Sequence, residues 1–261
     1  MLSAAVRDDI ARRLAEAERR RRPVTPLSVD HPAIEVPDAY EIQLINIRRR
    51  TAAGARIVGY KVGLTSKVMQ EMIGVDEPDF GHLLEEMRIE EDRPADASRF
   101  CAARVEAEIA FLLGADLPGG RCTVDDVLDA TEFVAPSIEV IDTRIEDWRI
   151  GVCDTIADNA SSAGFAIGAA RVAPDAIDLV GIEASLLANG EKVAAGRSDA
   201  VMGHPARAVA WFADQMDGLG IHLKAGDIVL PGSCTKAIDI HAGDEFVADF
   251  TGLGGVRIAF G

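Results

Sequence analysis

The chain is short of the residues from which many catalytic and structural motifs are built. Its four cysteines, Cys101, Cys122, Cys153 and Cys234, stand far apart and form no CxxC pair. That spacing argues against a zinc knuckle or a disulfide framework and fits a reducing compartment, so a cytoplasmic protein is expected. Histidine is sparse too: His31, His82, His204, His222 and His241 are scattered, and none belongs to an HExxH pattern. Each reads as structural or surface, His82 least clearly because it follows an acidic stretch. Also missing are GxSxG, GxxxxGK[ST] and GxGxxG, which removes the nucleophile-elbow hydrolases and the common nucleotide loops. No apolar run approaches the roughly 18 residues of a membrane span, and residues 1–22 alternate apolar with charged side chains instead of forming a signal core. Positive charge is in deficit: 27 basic against 43 acidic residues leave a formal charge of −16. Such a surface repels phosphate backbones and anionic membranes, so neither nucleic acid nor membrane is expected as a partner. Residues 19–22, four arginines in a row, are the exception and read as the basic end of a surface helix.

What is present is apolar material in quantity, 48% of 261 residues. That suffices for one large domain, or a small unit beside a main one. Residues 3–22 place Val6, Ile10 and Leu14 on one helical face before Pro23. After a proline-rich connector, Asp38 and Glu41 predict a capping box for a second helix that gives out near Gly54. These two helices predict an N-terminal helical region over residues 1–55, with the main mixed-sheet domain over 56–261. Residues 56–63 are strand-like and carry Lys61, a lone cation among apolar neighbours. A short helix with Val68, Met69 and Met72 follows and ends at Gly74. Pro78 and Gly81 then predict a turn that displays Asp76, Glu77 and Asp79 on a loop.

Farther on, strands dominate. Residues 123–133 predict a helix capped by Thr123 and Asp126, and residues 205–219 another, closed by glycines. Residues 154–168, dense in small polar residues, predict a loop leading into a strand, where backbone could approach a ligand closely. Asn189-Gly190 between two strand-like runs is a hairpin signal. Glycine-broken strands fill the remainder. Strands outnumber helices and do not alternate with them, which predicts an α+β fold with a mixed or rolled sheet.

The chemistry concentrates in residues 104–113. Glu106 and Glu108 lie two apart in an apolar run, so a strand projects both carboxylates from one face. Residues 136–142 plant Glu139 in similar surroundings. Singly, each glutamate fits the wet face of a half-exposed strand. Together, three carboxylates on two hydrophobic strands suggest a site for a hard divalent cation with open positions. A cation there could chelate a 2-oxo acid and stabilise the enolate formed next to its carbonyl.

Six segments carry a resemblance: residues 58–66 (VGYKVGLTS), 74–81 (GVDEPDFG), 104–111 (RVEAEIAF), 139–144 (EVIDTR), 158–164 (DNASSAG) and 225–235 (AGDIVLPGSCT). Through them the chain resembles the 2-keto-4-pentenoate hydratases of the fumarylacetoacetase superfamily. Residues 39–50 (AYEIQLINIRRR) resemble the branch that works in steroid and aromatic-ring catabolism. The resemblance implies a mixed β-sandwich or roll of the fumarylacetoacetase type with a small N-terminal helical region. It implies Mg²⁺ or Mn²⁺ held by Glu106, Glu108 and Glu139, and the addition of water to 2-hydroxypenta-2,4-dienoate to give 4-hydroxy-2-oxopentanoate. The family's active-site lysine maps onto Lys61, its aspartate onto Asp79 and its serine onto Ser161 or Ser162. Ser233 and Thr235, after Pro231-Gly232, are candidates to bind the substrate carboxylate. A homo-oligomer, pentamer or decamer, is implied as well, with a pathway enzyme as a further partner. In the sister decarboxylase of 2-oxohex-3-enedioate the residue after the loop proline is apolar, so Asp79 favours hydration. A chain that only scaffolded another pathway enzyme would need neither Lys61 nor Asp79.

Overall fold

The structure, a computed structural model, describes every residue except 68, 69, 72, 73 and 219. The expected helix around Val68, Met69 and Met72 lies largely outside the described residues, as does Leu219. The chain opens with helix α1 (Ala4–Arg20), a short turn of helix α2 (Leu27–Asp30) and α3 (Val36–Ala52). Ser3 caps α1, and Arg21 ends it in a left-handed conformation two residues before Pro23. The predicted cap of α3 is shifted: Glu35 is the N-cap, and Asp38 sits one turn inside, accepting from the backbone N–H groups of Leu2 and Glu35. Pro37 in the first turn removes an N–H that has no helical partner in any case, which lets the helix start early. Ile10, Leu14, Leu27 and Ile42 form a small apolar cluster that closes on Ile145, Ile156 and Ala157 of the remainder.

The remainder is built on two sheets. The larger has the order β2–β1–β8–β3–β4–β5, with β9 added beside β3. These strands are β1 (Ile57–Gly63), β2 (Asp79–Leu84), β3 (Arg104–Leu113), β4 (Thr131–Ile141), β5 (Ser162–Ile167), β8 (Ile228–Leu230) and β9 (Ile238–Asp239). Among the described residues, β1 and β8 are the only strands of this sheet that pair in parallel, so the sheet is mixed. The smaller sheet has the order β11–β10–β6–β7, from β6 (Glu183–Ala188), β7 (Glu191–Arg197), β10 (Glu245–Phe250) and β11 (Gly254–Ala259). Asn189 and Gly190 make the β6–β7 turn with positive φ, as the hairpin signal requires. β10 and β11 pack against β4, and Phe246, Phe250 and Ile258 join the main core there. This is the expected α+β sandwich with helices at its N-terminal end.

Helix α4 (Val124–Ala130) has the predicted Thr123–Asp126 capping box. It stops short of Phe133 because Thr131 already begins β4. The segment expected to be a loop before β5 instead forms α5 (Val152–Ala157) and a tight turn, Asn159–Ser161. Helix α6 (Pro205–Asp217) lays Val209, Phe212 and Met216 on the core. Among the described residues no helix is long and apolar enough to cross a membrane.

Candidate active site

The antiparallel register of β3 and β4 sets Glu106 opposite Glu139 and Glu108 opposite Ser137. One oxygen from each of Glu106, Glu108 and Glu139 lies within 4.8 Å of the others. Glu108 is 1% exposed and Glu139 fully buried. Water therefore does little to screen their repulsion. Burial, then the neighbouring Glu139, pushes Glu106 up to about 7. Burial followed by Glu139 and Glu106 raises Glu108 well above the usual carboxylate range. Burial also raises Glu139, with Lys61 opposing. Glu108 accepts from the Gly232 N–H at 3.0 Å, whereas the Glu139 oxygens find no hydrogen bond of good geometry. A cluster of two buried carboxylates and one half-buried carboxylate fits a divalent cation, whose charge offsets their repulsion and which takes hard oxygen donors.

Lys61 comes from β1, 4% exposed, with Nζ 3.3 Å from Glu139 Oε2 and donating to the Ala160 carbonyl at 3.0 Å. Burial opposes its charge, but Glu139, Asp79, Glu106 and Glu108 together outweigh it and raise its pKa above that of an ordinary lysine. Asp79 is not on a loop as predicted. It is the first residue of β2, opposite Gly63, and 2% exposed. The Pro78 turn ends one residue earlier, and pairing with β1 takes the aspartate into the sheet. Asp79 Oδ2 accepts from the Thr155 hydroxyl at 3.3 Å, and Oδ1 has no partner. Burial raises its pKa, against the pull of Lys61.

These residues share a cavity of about 380 Å³ whose lining includes Lys61, Asp79, Glu106, Glu108 and Ser161. Ser233 and Thr235 line it too: Ser233 Oγ donates to the Thr235 carbonyl at 2.7 Å, and Thr235 Oγ1 accepts from the Ala107 N–H at 3.3 Å. Both thus tie the 231–235 loop to itself and to β3. Gly232 sits there at φ 118°, and a Cβ would lie 2.0 Å from Thr65 Oγ1. Ser162, expected as a substrate contact, does not line this cavity, but its side chain lies against Glu139 and opposes the rise of that carboxylate's pKa. It is 1% exposed and lines a separate cavity of about 180 Å³ between α1, α3 and the 157–159 segment.

Several lining residues were not anticipated. Arg104 shares the β3 face with Glu106 and Glu108, an i, i+2, i+4 series that the sequence displays. Its Nε lies 2.7 Å from Asp239, and its guanidinium stacks 4.4 Å from the Trp148 ring. Thr155 and Trp148 carry no comparable sequence signal, because a helix and a 3₁₀ turn distant in sequence bring them to the cavity.

A mixed sandwich with a carboxylate triad between β3 and β4 defines a class, and the chain belongs to it. Residues 85–260 match the family described as Fumarylacetoacetate (FAA) hydrolase C-terminal, and the chain is a member of that family. Among its relatives is 2-hydroxyhexa-2,4-dienoate hydratase of Comamonas testosteroni, 43% identical over 250 residues, 95% of each chain. Another is 2-keto-4-pentenoate hydratase of Paraburkholderia xenovorans (strain LB400), 40% identical over 97% of this chain and 94% of the other. Among solved structures, 4-oxalocrotonate decarboxylase from Pseudomonas putida G7, complexed with magnesium and adipate, superposes with a TM-score of 0.95. It is 33% identical and covers 100% of this chain and 99% of its own.

Proposed function

We propose that the protein is a metal-dependent hydratase, a carbon–oxygen lyase that adds water to 2-hydroxypenta-2,4-dienoate or a close homologue in aromatic-ring breakdown. The observation that carries this reading is the placement of Lys61 and Asp79 in one cavity with Glu106 and Glu108, the buried Glu139 completing the carboxylate cluster 3.3 Å from Lys61. The names of the 43% and 40% identical relatives support the same chemistry. A divalent cation, Mg²⁺ or Mn²⁺, held by the three glutamates would supply Lewis acidity to the 2-oxo oxygen.

The chain's own residues divide the remaining work. Asp79, whose burial favours the neutral acid, gives its proton to carbon 5 of the dienol as the 2-hydroxyl becomes a 2-oxo group. The product of that step is a 3-enoate conjugated with the ketone. The proton released by the 2-hydroxyl passes to solvent; Asp79, now a carboxylate, accepts a proton from the water that adds at carbon 4, and carbon 3 takes up a proton from solvent in place of the one the hydroxyl released. Net uptake is one water. Lys61 stays an ammonium throughout: two of its donors face Glu139 and Ala160, and the third is free for the negative charge that develops on the substrate. Ser161 lies 3.5 Å from the Thr155 hydroxyl, within reach of either substrate or water. The setting is the cytoplasm, the steroid or aromatic branch is the metabolic context, and the working form is a homo-oligomer.

The test is a product assay with purified protein, Mg²⁺ and freshly prepared 2-hydroxypenta-2,4-dienoate, with and without EDTA. EDTA-sensitive loss of diene absorbance with formation of 4-hydroxy-2-oxopentanoate is the expected result. Release of CO₂ from 2-oxohex-3-enedioate without hydration would overturn it in favour of decarboxylation.

A further inference from the structure

Asn159, Ala160 and Ser161 all adopt left-handed backbone angles, with φ of 57°, 49° and 58°. Non-glycine residues rarely enter that region, and three in succession need outside support. The turn sits against the reactive residues. The Ala160 carbonyl accepts from Lys61 Nζ at 3.0 Å. Ser161 Oγ is 3.5 Å from Thr155 Oγ1, which in turn donates to Asp79 at 3.3 Å. One strained turn therefore contacts Lys61 directly and reaches Asp79 through the Thr155 hydroxyl.

Its support comes from three directions. Asn159 grips β2 like an extra strand: Oδ1 accepts from the His82 N–H at 2.8 Å and Nδ2 donates to the His82 carbonyl at 3.0 Å. Arg144, 5% exposed, donates from its backbone N–H and side chain to the Asp158 carboxylate, and from Nη2 to the Asp158 carbonyl at 2.6 Å. The Asp142 N–H donates to the Ser161 carbonyl at 2.8 Å. Close approach to β2 depends on Gly81, where a Cβ would lie 2.3 Å from the Asn159 carbonyl.

We propose that Asn159 is a positioning residue, whose grip on His82 holds the left-handed turn that seats Lys61 and Ser161 for reaction. The inference rests on the assignment of Lys61 above. Asparagine suits the position twice over. It tolerates left-handed backbone better than most residues, and its amide carries both a donor and an acceptor. Glycine keeps the backbone freedom and loses the grip. Aspartate keeps size and acceptor but sets a carboxylate against the His82 carbonyl. Alanine loses grip and backbone tolerance together.

The experiment compares Asn159→Gly, Asn159→Asp, Asn159→Ala and Lys61→Met with the unaltered, Mg²⁺-loaded protein. Readouts are kcat and KM for 2-hydroxypenta-2,4-dienoate, Mn²⁺ affinity, and the crystallographic distance from Lys61 Nζ to the residue 160 carbonyl. Asn159→Gly is expected to lower kcat about 10- to 100-fold, the scale of a misplacement near 1 Å. KM and Mn²⁺ affinity should stay within about threefold, since the substitution leaves ground-state binding untouched. The Lys61 contact should lengthen beyond hydrogen-bonding range, and Asn159→Ala should fall further. Asn159→Asp carries the same expectation if the glycine variant does not fold. Unaltered kcat and Lys61 contact in these variants, alongside an inactive Lys61→Met, would overturn the role of Asn159 and leave Lys61 standing. Full activity in Lys61→Met would instead overturn the assignment on which it rests. If the unaltered protein fails to hydrate the dienoate, the proposed function fails, and the crystallographic contact alone decides the positioning claim.

Discussion

Burial gives Asp79 and His82 opposite tasks although they stand three residues apart on β2. For Asp79 it favours the neutral acid, which is the form that can donate a proton. Asp79→Asn keeps the shape and the Thr155 contact but cannot transfer a proton. It should lower kcat by about 10²- to 10⁴-fold, the range of a lost general acid or base. KM should change little, and steady-state kinetics on the dienoate will check both. For His82 burial favours the neutral imidazole and pushes the pKa down to about 4. The tautomer follows from Gln43: its Nε2 donates to the Phe80 and Ile156 carbonyls, so its Oε1 faces His82 Nδ1 at 3.0 Å as an acceptor. Between about pH 6.5 and 4 the unfolded chain binds a proton at His82 that the folded chain refuses. Stability is thus lost as pH falls through that window, about 2 kcal/mol from this residue by pH 5. NMR titration should find the His82 ring neutral from pH 8 to 5; protonation near pH 6.5 would refute the argument.

At the scale of elements, periodicity separates what the sequence disclosed from what it hid. Strands β3 and β4 were legible because alternation in an apolar run determines facing, and so Glu106, Glu108 and Glu139 could be grouped without a structure. Helix α5 was not legible. Asp154, Thr155, Ile156 and Ala157 are all buried, so it has no polar face to announce a helical period. The left-handed run at 159–161 was hidden for a different reason: Ala160 and Ser161 do not favour that backbone, and β2 and Arg144 impose it from outside. Asp79 was misplaced because a turn signal and a strand start adjoin at Pro78. Ser233 and Thr235 line the cavity as the sequence suggested, but the bonds by which Ser233 Oγ closes its own loop could be seen only in space. Gln43 shows how one side chain can join elements, pinning α3 to β2 and α5. Gln43→Leu leaves two buried carbonyls and an imidazole N–H without partners. It should cost about 3 kcal/mol, read as a lower urea midpoint with an unchanged m-value.

Across the whole molecule, the same three glutamates couple fold, metal and pH. In the metal-free protein Glu106 has a pKa of about 7. Its unfolded value is near the usual 4.3 for glutamate, so the folded chain holds a proton there that the unfolded chain has released. Stability from this residue is therefore present at low pH and declines as pH rises through about 7. A divalent cation reverses the balance, because it binds the deprotonated set and only the folded chain assembles that set. Proton competition at Glu106 alone should weaken apparent affinity about 100-fold at pH 5 relative to the fully deprotonated site. The rise in Tm on adding Mg²⁺ should then be large at pH 8 and small at pH 5. Glu139→Gln, which keeps the volume but removes a charged ligand, should abolish it at both. Thermal unfolding with Mg²⁺ and with EDTA at the two pH values decides the matter. Equal increments at pH 5 and 8, or an increment retained in Glu139→Gln, would mean that the cation binds elsewhere on this acidic surface. The triad would then have to be neutralised by protons and Lys61 alone.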